Sequence, residues 1–176
     1  MTYEIIGSRI VSPFIGTSTY VWTSLIGVIL AALSLGYWLG GRMADKRPDV
    51  KVLASAIFLA GGAVSVTILI KDAVLSMIGS TSLALEFKSV FAAAVLFAPA
   101  SVLLGFVTPY AVKLRPLSLE DAGKTVGRLY ALSTIGSIAG TFAAGFVLIP
   151  FVGSTRTLYL IAGSLEDPMR APARWA

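Results

Sequence analysis

The sequence predicts an all-α fold: a polytopic bundle of transmembrane helices, with four secure spans and up to six if incomplete helices at the two ends are counted. Three observations carry this reading. Of 176 residues, 56% are hydrophobic and 13% are charged, where a soluble domain averages about 25% charged. Four uncharged runs approach or exceed the roughly 20 residues that cross a bilayer core of about 30 Å. The basic residues gather between those runs, and their number alternates from one connection to the next.

The first uncharged run covers residues 10–41, too long for one helix. Pro13, Gly16 and the Thr17-Ser18-Thr19 cluster predict a turn, so the span starts near Tyr20 or Trp22. Those two aromatics sit where an interfacial belt belongs. The second run is 52–70, the third 89–112 and the fourth 129–155. Residues 1–16 are apolar apart from Glu4 and Arg9. Residues 157–165 read as the opening of another span, which stops at Glu166-Asp167-Pro168. The expected organisation is a membrane unit over 1–165 and a short polar tail over 166–176. Met1 is not followed by the basic region and apolar core of a signal peptide.

Lys and Arg set the orientation. Connection 42–51 holds Arg42, Lys46, Arg47 and Lys51, and connection 113–128 holds Lys113, Arg115, Lys124 and Arg128. Between them, 71–88 holds only Lys71 and Lys88, offset by Asp72 and Glu86. The positive-inside rule places 42–51 and 113–128 in the cytoplasm and 71–88 outside. The apolar centre of that outer stretch, 73–85, is too short to span and is expected to lie along the interface as its own helix.

The residues that are missing exclude much chemistry. With Cys 0 and His 0, there is no disulfide, no thiolate zinc site, and no Ser-His-Asp or Cys-His nucleophile. No Gly-rich phosphate loop is present. No cofactor and no metal are expected. The net charge of +5 lies beside apolar runs, so it reads as topology and headgroup contact with the lipid bilayer, not as nucleic-acid binding.

Several constellations invite a functional reading. Glu4 and Arg9 are ionisable groups in an apolar segment, where an ion is usually paired or functional; the alternative is that both sit at the interface. The turn Gly41-Arg42-Met43-Ala44-Asp45-Lys46-Arg47 places Asp45 within reach of Arg42, Lys46 and Arg47, a charged joint that anchors a helix or restrains a rocking motion. Gly36 and Gly40 form a G-x-x-x-G, and Ser133, Gly136, Ser137, Gly140 and Ala144 form a small-residue stripe, both expected to serve helix packing. Pro99 and Pro109 each remove a backbone hydrogen bond from the third span and predict kinks. Gly123 to Arg128 opens the fourth span, where an anion such as a lipid phosphate would suit a helix N-terminus.

Six blocks then follow one another along the chain: Glu4-Ile-Ile-Gly-Ser-Arg9; Pro13-Phe-Ile-Gly-Thr-Ser18; Tyr20-Val-Trp-Thr-Ser-Leu-Ile-Gly27; Ser34-Leu-Gly-Tyr-Trp-Leu-Gly-Gly-Arg-Met-Ala-Asp45; Leu104-Gly-Phe-Val-Thr-Pro-Tyr-Ala-Val-Lys-Leu114; and Val126-Gly-Arg-Leu-Tyr-Ala-Leu-Ser-Thr-Ile-Gly-Ser-Ile-Ala-Gly-Thr141. In order and spacing this series resembles the membrane region of the fused major facilitator/spermidine synthase-like proteins, over roughly residues 4–165. The resemblance implies a helical bundle in a bacterial or archaeal cytoplasmic membrane. It also implies a cytoplasmic aminopropyltransferase-like domain, which binds decarboxylated S-adenosylmethionine and a polyamine. This sequence has neither that domain's Gly-rich cofactor loop nor its acidic proton acceptor, so no catalytic residue carries over.

The leading expectation is a transporter-like membrane module that anchors a partner enzyme or binds and moves a small cation such as a polyamine. Glu4 would supply the carboxylate and Tyr20, Trp22 and Trp38 the cation–π faces, with Arg9, five positions from Glu4 and so poorly spaced to pair with it on a helix, as a further candidate. The partners would be a soluble aminopropyltransferase-like chain or other membrane subunits. The alternative is a non-catalytic structural subunit, or a split chain whose enzyme half is separate.

Overall fold

A computed structural model describes residues 2–46, 48–114 and 122–166, with the backbone alone at Ala122, Lys124, Thr125 and Leu129. Arg47, Arg115 and the tail beyond Glu166 lie outside the described residues. The described residues form α1 (Thr2–Ile15), α2 (Thr19–Lys46), α3 (Val50–Gly79), α4 (Leu85–Lys113), α5 (Ala122–Ala143), a π-helical segment (Ala144–Val152) and α6 (Ser154–Glu166). No strand occurs among them. Among the described residues four stretches are long and apolar enough to cross a membrane: α2, α3, α4 and the continuous Val126–Val152.

Each boundary has a local cause. Gly16 adopts φ 96°, a left-handed conformation costly for other residues, and so turns α1 into α2. Pro13, expected in that turn, instead lies within α1. Asp49 caps α3, its carboxylate accepting from the Lys51 N–H at 2.9 Å. Lys88 Nζ donates to the Gly79 carbonyl at 3.0 Å and so covers an orphan acceptor at the end of α3. Gly153, at φ 87°, separates the π-helical segment from α6.

The separate interfacial helix expected over 73–85 does not form. Residues 73–79 continue α3, and only residues 80–84 connect to α4. No Gly or Pro stands between Lys71 and Ile78 to interrupt the ladder, and extending a helix costs less than nucleating a new one. Lys71 and Asp72 pair at 2.7 Å where α3 leaves its uncharged run.

Helices α2 and α4 form the tightest pair, and glycine makes it possible. A Cβ on Gly36 would collide with the Val102 carbonyl oxygen, one on Gly40 would lie 2.5 Å from the Phe106 oxygen, and one on Gly105 2.6 Å from the Leu33 oxygen. All three obstacles are backbone atoms and cannot rotate away. In lipid, where apolar burial does not drive helix association, such close contact is the main source of attraction. Among the described residues nothing lies within 4 Å of a Cβ on Gly136, whereas a Cβ on Gly140 would lie 2.7 Å from Thr2 Oγ1 of α1.

Helix α1 is wedged between α2, α3, α4 and α6. Its Ile6 and Val11 are buried against Leu25, Val64 and Phe97. The Tyr3 ring meets Phe97 edge-on at 5.2 Å and 72°. Its hydroxyl donates to the Leu96 carbonyl at 3.3 Å, and Thr67 Oγ1 donates to the same carbonyl at 2.7 Å. This knot lies one turn before Pro99. Helix α4 nonetheless runs unbroken through Pro99 and Pro109. A second cluster joins the far ends of α2, α3 and α4, where Phe106 stacks on Tyr110 at 5.1 Å and Tyr110 Oη accepts from the Asp49 N–H at 3.0 Å.

The glycine contact yields a direct expectation. Gly36→Ala should destabilise the detergent-solubilised protein by about 1–3 kcal/mol, because the added methyl meets backbone on a facing helix. Gly41→Ala and Gly136→Ala, where a Cβ meets nothing within 4 Å, should be neutral or stabilising by up to about 1 kcal/mol through helix propensity. Thermal unfolding of the three variants distinguishes them.

Candidate functional site

At about 1.5 Å per residue, the described parts of α1 and α6, 14 and 13 residues, measure roughly 20 Å. The outer end of α1 lies beside Gly79, with the Phe14 oxygen 3.8 Å from a Cβ there. Its inner end places Tyr3 against Thr67 and Leu96. The inner end of α6 packs on Gly61, where a Cβ would lie 3.0 Å from Glu166 Cγ and 3.1 Å from Leu165 Cβ. Gly61 is the midpoint of the uncharged run 52–70.

Beneath the inner ends of α1 and α6 lies a cleft. One part of it, about 500 Å³, is lined by Thr2 and Tyr3 of α1, Ser164 and Leu165 of α6, Leu104 of α4, and the Ser133-Gly136-Ser137-Gly140 stripe of α5. The stripe therefore borders open space, with α1 close to it at Gly140. The cause is the looseness of the last span: only 6% of the Val126–Val152 window is buried, against 33–44% for the other three. A second cavity of about 330 Å³ shares Ser133 and adds Tyr37, Thr108 and Pro109. A third, of about 280 Å³, shares Pro109 and Tyr130 and ends on Asp45 and Lys113. The row runs along α5 from mid-bundle to the polar end of α2 and α4.

Chemically, the 500 Å³ cavity is a set of hydroxyls on an apolar wall. Thr2, Tyr3, Ser133, Ser137 and Ser164 can accept or donate hydrogen bonds, and no charged side chain lines it among the described residues. Above it the π-helical segment has the wider register, with the Gly153 N–H bonding Leu148 and Ile149 carbonyls at 3.0 and 3.2 Å. Such segments recur at functional sites.

The residues expected to bind a cation are not brought together. Tyr20, Trp22 and Trp38 are all exposed on α2. Trp22 and Trp38 are 16 positions apart, which is about 24 Å along a helix, so one small cation cannot touch both. Trp38 is covered instead by its neighbour Arg42, 4.8 Å from the ring centre. Arg9 is exposed, and Glu4 is half-buried on α1 and not without a partner. In the charged turn, Asp45 pairs with Lys113 at 2.7 Å and so ties α2 to the end of α4. The expected partners within its own helix are otherwise placed: Arg42 lies over Trp38, and Lys46 is the adjacent residue, on another side of the helix.

Sequence reasoning passed over Glu166, treating it as the stop of a broken span. Its carboxylate accepts from the Ser65 hydroxyl at 3.4 Å, in the middle of the bundle. A signal was present. Leu158 and Ala162 are buried, and Glu166 follows them at four-residue spacing, so it continues the inward face. Ionised groups at such depth cost roughly 2.5–3.5 kcal/mol on insertion scales and are commonly functional.

Comparison of the chain with protein-family models, with curated proteins and with solved structures finds no match.

Proposed function

We propose that this chain is a transporter-like membrane module that binds and moves a small solute through the cleft beside α5. The hydroxyl-lined cleft of about 500 Å³ beside the middle of the Val126–Val152 span is the observation that carries this reading. Sites built between helices at mid-depth are how many transporters hold their substrates. The resemblance to the spermidine synthase-like membrane region makes a polyamine the first solute to try, and a soluble aminopropyltransferase-like chain the first partner. In this reading 42–51 and 113–128 face the cytoplasm of a bacterial or archaeal cell.

A structural role is the second reading, and the sparse burial of Val126–Val152 favours it. A helix that packs so little on its own bundle has most of its surface available to another membrane subunit.

Two measurements test these readings. Purified protein in sealed proteoliposomes should accumulate radiolabelled spermidine above empty vesicles, and Gly140→Leu, which fills the cleft, should lower the initial rate about tenfold or more, as misplacement in a binding site does. No uptake by the unsubstituted protein would leave the structural role as the better account. Orientation is testable because the chain has no cysteine. In intact cells an impermeant maleimide should label Ser80→Cys and should label Lys46→Cys only after the membrane is opened.

A further inference from the structure

We infer that α4 is a hinged helix: it bends at Pro99, the Tyr3 and Thr67 hydroxyls on the Leu96 carbonyl latch the bend, and the width of the cleft follows it. This holds whether a solute or another subunit occupies the cleft.

The two halves of α4 are held by different means. After Pro99 the helix is fixed to α2 through backbone. Val102, Gly105 and Phe106 meet Leu33, Gly36 and Gly40 there, and a Cβ on any of the three glycines would strike main-chain atoms. Before Pro99 the helix is held by side chains. Phe97 takes the edge of the Tyr3 ring. Thr67 Oγ1 of α3 donates to the Leu96 carbonyl at 2.7 Å, and Tyr3 Oη of α1 donates to the same oxygen at 3.3 Å. Tyr3, Thr67, Leu96 and Phe97 are all buried.

Pro99 stands at the boundary between these halves. Its nitrogen has no proton for the Val95 carbonyl, and its ring crowds the preceding turn, so the ladder of α4 is weakest there. In a bilayer no water replaces the lost bond, and hydroxyls of neighbouring helices support such a turn instead. The Leu96 carbonyl lies in that turn, three positions before Pro99, and it is the oxygen that receives both hydroxyls.

The cleft is built across the same boundary. Leu104 lines it from the half of α4 fixed to α2, and Tyr3 lines it from the helix tied to the other half. Of the described residues on its wall, Tyr3 is the one that is buried, with its hydroxyl bonded to α4. When the latch opens, the first half of α4 swings about Pro99, and the separation of Tyr3 from Leu104 changes with it.

The chain has no cysteine, so paired spin labels can read the bend by double electron–electron resonance. One pair joins Tyr20→Cys at the start of α2 to Phe87→Cys at the start of α4, both exposed positions. A control pair joins Met43→Cys to Val112→Cys, at the ends of the two helices beyond the glycine contact. Phe87 lies 12 positions before Pro99, about 18 Å along a helix, so a bend of about 20° moves it by about 6 Å. The first pair should give one narrow distance, and adding Tyr3→Phe with Thr67→Val should shift or broaden it by that amount. The control pair should keep its distance, which also shows that the variant is folded. Adding Pro99→Ala, which restores the missing donor, should return the first pair to its narrow distance. An unchanged first pair, an equal shift in the control pair, or a shift that persists with Pro99→Ala overturns the hinge. Leu104→Cys on the cleft wall should react with a small methanethiosulfonate several-fold faster once the two hydroxyls are removed. Equal rates overturn the link between hinge and cleft.

Discussion

Backbone contact between α2 and α4 is the constraint on which the rest of the bundle depends. Gly36, Gly40 and Gly105 let the two helices meet without side chains between them. That contact fixes the groove into which α1 inserts and the height at which Tyr3 reaches the Leu96 carbonyl. It also brings the ends of the helices together, so that Asp45 meets Lys113 and Tyr110 meets the Asp49 N–H. A bilayer offers no solvent to drive helices into contact, so close steric fit takes the place that apolar burial holds in a soluble core.

The molecule divides into a close-packed body and a loosely attached arm. Helices α1 to α4 and α6 share one apolar cluster. Helix α5 and the π-helical segment touch that body along little of their length, and the cleft is the space left between. Small residues on α5 face this space. Their usual role is to let backbones touch; here they widen a cavity. The same stripe thus has opposite consequences on α2 and on α5, and what differs is whether a facing helix is close enough to use it.

Much of the architecture was legible in the sequence because charge is so costly inside a bilayer. Four uncharged runs marked four spans, and Gly16 marked the turn before the first. Length of the helices was less legible: without a breaker between Lys71 and Ile78, α3 continued past its uncharged run to Gly79. The partner of Asp45 was hidden for a different reason. Lys113 is 68 positions away, and no local pattern reports a contact between separate helix ends. Glu166 drew no functional reading because Asp167 and Pro168 follow it and look like the close of a segment. Its inward face was written at four-residue spacing from Leu158 and Ala162, and the depth of that face became clear only from its contact with Gly61.

A cleft at mid-depth also shapes the electric field. Gly140 on its wall stands at about the centre of the Val126–Val152 span. A full crossing of one elementary charge is worth about 2.3 kcal/mol per 100 mV. A charge resting in the cleft would have crossed about half of the field, or about 1 kcal/mol per 100 mV. Occupancy at that depth is thereby sensitive to membrane voltage, with a sign set by which face of the membrane the cation enters from.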